Sequence, residues 1–297
     1  MIVRDKPGIW SLLFALRGSV LPHIAKQIIG FSAFAALLVW IDHKVWPLPH
    51  PDGTSFTVFG IALSLFLGFR NNAAYDRWWE ARRLWGGLLA DVRMLGREAN
   101  IFVAAPTRRA RMLRLSLAFV HLHRCNLRAI PMDDAARLWA ATQFDGTAHP
   151  PCAVLDRIGA EISEGLVRTE IDGFGARTLA GRLASMAQNQ AGCERIAATP
   201  LPYVYSLLIF RTIYLYCLLL PLALLDPAGW FAPVFAGIVA YVFFGLAEVT
   251  EELAHPFALT GNGLPLDAIC RTAEISLAPH LGLTAPPALL PRDYYLG

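Results

Sequence analysis

PAGWFAPVFAGIVAYVFFGLA, residues 227–247, runs for twenty-one positions without a charged side chain. At ~1.5 Å per residue a helix of that length covers the ~30 Å hydrocarbon core of a bilayer. In water it would have to be wrapped by protein on every side, whereas in lipid it satisfies its own backbone hydrogen bonds. The same reading extends outward to three further blocks. Residues 53–69, GTSFTVFGIALSLFLGF, are uncharged over seventeen positions, and residues 27–41 over fifteen, with Lys26 and Lys44 placed to snorkel outward from the ends. Residues 212–225 give fourteen more, continued backward through Tyr203 to Phe210 with Arg211 as the one interruption. The predicted fold is an all-α integral membrane protein with four spanning helices at about 26–46, 54–75, 203–225 and 229–249.

Composition agrees. Hydrophobic residues make up 55% of the chain and charged residues 16%, with a mean hydropathy of +0.44. A soluble domain carries roughly a quarter charged residues, so this balance excludes an ordinary soluble enzyme or a nucleic-acid-binding module. The five cysteines, Cys125, Cys152, Cys193, Cys217 and Cys270, are odd in number and never stand as a C-x-x-C pair. They read as reduced thiols rather than as a disulfide framework or a zinc site. Met1 to Leu13 carries charge at Arg4, Asp5 and Lys6 and lacks a long apolar core followed by a small-residue cleavage site, so no cleaved signal peptide is expected.

Eighteen of the twenty-six lysines and arginines lie between Arg70 and Arg195, while the loops at 47–55 and 226–229 hold none. Basic residues accumulate on the cytoplasmic side of spans. The two bare loops are therefore predicted to face outward, and the N-terminus, the middle region and the C-terminus to lie in the cytoplasm. Within the middle region, about 76–200, Ala81, Trp85, Leu88, Val92, Leu95, Ala99 and Phe102 follow a four-three spacing that places them on one helical face. Pro106, Pro131 and His149-Pro150-Pro151 divide the region into several helices, and a helix from about Phe174 to Arg195 leads into the third span. A C-terminal tail, 250–297, follows the last span.

In the second span Ile61, Leu65 and Phe69 recur every four residues on one side, beside a stripe of small residues, Gly60, Ser64 and Gly68. Small stripes let membrane helices approach closely. Copies of this helix around an axis could therefore pack through the small stripe and point the large apolar stripe inward, forming rings that close a pore by dewetting. An ordinary buried helix would carry the same spacing.

The run Gly60-Ile61-Ala62-Leu63-Ser64-Leu65-Phe66-Leu67-Gly68-Phe69-Arg70-Asn71-Asn72, followed by Tyr75, Arg77 and Glu80-Ala81-Arg82, resembles the signature of the bacterial bestrophins. Gly192-Cys193-Glu194-Arg195, Thr199-Pro200-Leu201-Pro202, Arg211-Thr212-Ile213-Tyr214-Leu215, Glu251-Glu252 and Pro256-Phe257 are similar to later stretches of the same family, in the same order. The resemblance covers nearly the whole chain and is weakest between about Thr107 and Asn189. It implies one subunit, residues 1–297, of a homopentameric ion channel with a central pore, whose neck falls on Ile61, Leu65 and Phe69. A second, cytoplasmic constriction falls near Phe174. The implied partners are further copies of the chain, membrane lipids and permeant inorganic ions, with no nucleic acid, no cofactor and no metal.

Animal bestrophins carry a run of acids after the last span. Here Glu248, Glu251 and Glu252 are followed by His255 without a dense acidic loop. Calcium takes six to eight oxygen ligands, so calcium gating is not expected. Five uncharged neck side chains cannot select by sign, which leaves chloride or other anions, or monovalent cations, as the permeant ions. Arg211 lies inside a span, where a charge usually has a partner. An ion pair with Glu248 or Glu251 on the antiparallel fourth span is one expectation, and a snorkelling side chain at a helix extension the other. His121 and Cys125 share a face as metal ligands would, but with no third ligand nearby the structural reading is favoured.

Three other classes are weighed against the channel. A membrane enzyme would need nucleophiles, acids and bases, or ligands at one depth, and no H-E-x-x-H, G-x-S-x-G or phosphate-cradling loop is present. A small-solute transporter would bring inverted repeats and broken helices, which do not appear. A non-conducting membrane scaffold is separated from a channel only by conductance.

Overall fold

The structure, a computed structural model, describes residues 1–3, 8–10, 15 and 18–297. The charged residues Arg4, Asp5 and Lys6, on which the leader expectation turned, lie outside these. Among the described residues the fold is all-α, in nine helices. They are α1 (Leu21–Lys44), α2 (Gly53–Phe102), α3 (Pro106–Leu127), α4 (Asp134–Ala140), α5 (Pro150–Val167), α6 (Gly173–Ala198), α7 (Tyr203–Ala228), α8 (Ala232–Ala254) and α9 (Leu266–Leu277), with 3-10 turns at Gly229–Phe231 and Pro279–Leu281.

Helix starts follow the punctuation of the sequence. Pro106 and Pro150 stand in the first turns of α3 and α5, where a missing N–H leaves nothing unpaired. Asp133, His149 and Asp172 cap α4, α5 and α6 by accepting from the backbone N–H of Ala136, Cys152 and Gly175 at 3.0, 3.3 and 2.6 Å. The predicted second span and the four-three face beyond it form one uninterrupted helix of 50 residues, since neither proline nor glycine falls between Gly68 and Gly86.

Among the described residues three segments are long and apolar enough to cross a membrane: α1, α2 and the stretch Tyr203–Ala254. The last is divided into α7 and α8 by the turn at Gly229–Phe231. Gly229 takes a φ of +49°, a backbone region open to glycine at little cost.

The chain forms two compact units. The span unit comprises residues 4–78 and 200–255 and holds α1, the first half of α2, α7 and α8. In it α1 lies along α8, and α7 packs on both. Its core is built from Ile24, Leu63, Leu67, Ile213, Leu220 and Phe244, with Tyr214 meeting Phe244 edge to face at 4.9 Å.

The core unit comprises residues 1–3, 79–199 and 256–297. Ala81, Trp85, Leu88, Val92, Leu95 and Ala99 are all buried there, as their spacing predicts, and Phe102 is half-buried. Phe102 rests on Gly175, where an added Cβ would come within 2.7 Å of the phenylalanine Cβ. The central helix α3 packs against α4, α5, α6 and α9. It carries Arg108, fully buried, which donates to Glu161 at 2.7 Å and Glu170 at 2.5 Å. Such an arginine stands only while its acids are present, because stranding a buried charge costs about 3–5 kcal/mol. His121 lies 2.8 Å from the Glu274 carboxylate and Cys125 is buried, so this pair is structural.

His123, also on α3, is completely buried between Trp85 and Phe119, nearly parallel to the latter, and neither ring nitrogen has a partner. Burial pushes its pKa down to about 3, with His149 lowering it further. The folded state holds this imidazole neutral while the unfolded chain takes up a proton below about 6.5, so stability is lost as pH falls from about 6.5 toward 3. The slope approaches about 1.4 kcal/mol per pH unit for one proton. His123→Phe is expected to keep the aromatic stack and to flatten this dependence, as read from thermal unfolding at pH 7 and pH 4.5.

Candidate functional site

The first half of α2 has two unlike faces. Leu63, Leu67, Arg70 and Ala74 are buried in the span unit, whereas Ile61, Leu65 and Phe69 are 58%, 58% and 68% exposed. The predicted stripe therefore exists as a row of large apolar side chains that nothing in its own unit covers. Soluble surfaces rarely show such a row, and in a membrane it must meet lipid, another protein or a lumen. Beside it Gly60 and Ser64 border a groove of about 550 Å³ shared with Tyr216, Ile238 and Val242.

The small stripe splits into separate roles. An added Cβ on Gly60 would lie 2.7 Å from the Tyr216 hydroxyl, so this glycine permits close approach of α7. Ser64 donates to the Gly60 carbonyl of its own helix at 2.8 Å, and Gly68 faces open space. Phe174 belongs to the other unit, in the first turn of α6, and is 82% exposed.

The orientation of α2 is held by polar contacts that sequence reasoning missed. Arg70, its side chain 8% exposed, donates through Nη2 to Ser206 Oγ at 2.9 Å and to Glu251 Oε2 at 2.6 Å. At the next residue the buried Thr250 hydroxyl lies 3.3 Å from Asn71 Oδ1, and two turns further on Arg77 Nε donates to the Ala254 carbonyl at 2.8 Å. Three residues of α2, spread over about two turns, thus grip the last two turns of α8. In the sequence Arg70 reads only as the first charge after a span, and the acid that pairs with it lies 181 positions away.

The expected Arg211 pair is corrected. Arg211 is exposed and forms no ion pair among the described residues, while Glu251 is taken by Arg70 and Glu248 lies 3.4 Å from His23 Nδ1. Of the two expectations for Arg211 the exposed side chain matches the unpaired one, and Glu251 goes instead to Arg70, which lies closer to the core on a helix packed between α7 and α8. Glu248, Glu252 and His23 bring their ligand atoms within 4.8 Å of one another, which supplies too few oxygens for calcium on its own.

Comparison with known proteins follows this geometry. A family model described as Bacterial/Fungal Bestrophin protein matches residues 1–279. A voltage-dependent anion channel-forming protein of Mesorhizobium japonicum is 42% identical over 304 residues, covering 99% of this chain and 96% of its own length. One of Escherichia coli K12 is 33% identical, covering 99% of each. The crystal structure of a bacterial bestrophin homologue from Klebsiella pneumoniae superposes with a TM-score of 0.81 at 30% identity, covering 89% of this chain and 99% of that one.

Replacing Arg70 by Gln leaves Glu251 and Ser206 without their shared donor, an expected loss of about 2–4 kcal/mol. Arg211→Gln touches no partner and is expected to stay within about 0.5 kcal/mol of the parent. Thermal unfolding of both variants in detergent, side by side, measures the contrast.

Proposed function

Because the chain belongs to the bacterial and fungal bestrophin family, we propose that it is the subunit of a homopentameric anion channel of the bacterial inner membrane. In this reading each subunit spans the bilayer four times with both termini in the cytoplasm, and the five copies of α2 surround one pore. Ile61, Leu65 and Phe69 form the apolar neck, Gly60, Ser64 and Gly68 pack alongside it, and Phe174 narrows the cytoplasmic vestibule. The observation that carries the proposal is the uncovered apolar row on α2, fixed in direction by the Arg70 contacts on the opposite face. An apolar ring bars ions by dewetting rather than by charge, so the neck acts as a gate and leaves selectivity to other parts of the path. The anion assignment rests on the names of the relatives, which are channel-forming proteins and not enzymes. Arginines concentrated between Arg70 and Arg195 would raise local anion concentration wherever they face the path.

Purified protein reconstituted in a planar bilayer under a KCl gradient is expected to pass current that reverses at the chloride potential. Ile61→Ala and Phe69→Ala shorten the apolar ring, and a barrier lower by about 1.4 kcal/mol gives about tenfold more current. Unchanged current in both variants would remove the neck assignment, and silence in every variant would favour a scaffold. A particle mass in detergent of about five times 32.7 kDa checks the pentamer.

A further inference from the structure

Within the span unit, α2 and the start of α7 border an open cavity of about 410 Å³ lined by Phe66, Phe69, Arg70, Ala73, Leu201, Pro202 and Tyr205. Its walls are aromatic and aliphatic. The two polar side chains that line it, Arg70 and Tyr205, can both donate. Arg70 has five N–H groups, and its contacts to Ser206 and Glu251 both use Nη2. Its Nη1 makes no hydrogen bond among the described residues, while Nε lacks an acceptor but is closed off from solvent. α7 begins here with Pro202 at its N-cap, no capping side chain and no acid in its first turn, so the positive end of a 26-residue helix opens beside the guanidinium. The Tyr205 hydroxyl has no partner among the described residues either.

An apolar cavity with convergent, unused donors calls for a ligand that brings acceptor oxygens, negative charge and a hydrophobic body. Water meets the first requirement only. At the ~30 Å³ that a water occupies in the liquid, the volume holds about a dozen non-hydrogen atoms, the head and first part of an acyl chain. We propose that this cavity binds an anionic membrane amphiphile, its charged head on Arg70 and the α7 N-terminus and its acyl chain against Phe66, Ala73 and Pro202. The head is supplied by a free fatty acid or by an anionic phospholipid. Binding does not depend on the channel reading; only its consequence does, because Phe69 is at once a wall of the cavity and a member of the proposed neck.

Full-length protein in detergent, crystallised with bromoundecanoate or separately with phosphatidylglycerol carrying brominated acyl chains, reads the site through the anomalous signal of bromine. A peak in the cavity with the fatty acid assigns the free acid, and a peak with the phospholipid alone assigns the lipid; no peak there with either overturns the proposal. Titration with dodecanoate gives a second reading. Ala73→Trp fills the cavity and leaves Arg70 in place, with an expected loss of affinity of about tenfold or more. Dodecanol, which lacks the charge, is expected to bind at least about tenfold more weakly than dodecanoate to the unaltered protein. Equal binding of alcohol and acid, or unchanged binding in Ala73→Trp, would overturn the assignment whether or not the protein conducts.

Discussion

A helix in hydrocarbon gains nothing by hiding leucines from lipid, so its rotation is decided by polar contacts and close approaches. In the span unit that decision falls on Arg70. Its guanidinium, held by Ser206 on α7 and Glu251 on α8, turns one side of α2 inward. At 100° per residue the neighbouring Phe69, and with it Leu65 and Ile61, must then face away. The Asn71–Thr250 contact on the same turn and the Arg77–Ala254 contact two turns on repeat the constraint. The exposed apolar row is thus the geometric complement of a buried cation, and the candidate site inherits its direction from residues that do not line it.

Much of this was legible from residue order alone. Apolar blocks are a matter of counting, and they appear as helices in α1, the first half of α2, α7 and α8, within three membrane-length segments among the described residues. The Ala81–Ala99 periodicity appeared as a buried face, because a helix that carries both polar and apolar stripes can bury only one of them. Prolines marked the starts of α3 and α5 for a local steric reason that tertiary structure does not override. The Ile61, Leu65 and Phe69 spacing was visible, but spacing cannot say whether a stripe faces in or out. Polar partnerships were not legible. Arg211 attracted attention because it interrupts an apolar run, whereas Arg70, at the edge of one, is the buried arginine. Pairings across 181 positions leave no trace in a single sequence when several acids lie within a few residues of each other.

The core unit runs on a different economy. There α3 threads buried arginines and histidines through a helical core, and nearly every one is matched by an acid from outside α3: Arg108 by Glu161, Arg124 by the nearby cap Asp133 and the distant Asp267, His121 by Glu274. His123 is the exception. Its stack between Trp85 and Phe119 treats an imidazole as an aromatic hydrocarbon. Matched charges fix register while adding little net stability, and the His123 stack supplies packing without polar satisfaction.

The cysteines add a practical consequence. Four of the five are buried, and burial pushes Cys193 up to about 12, so its thiolate is scarce at neutral pH. Cys152 alone is exposed, near the start of α5. The unaltered chain therefore carries one natural attachment point for a maleimide fluorophore or spin probe. In a ring of identical subunits a single reaction would install one reporter per copy, and the spacing between reporters would give the symmetry of the assembly without any engineered residue.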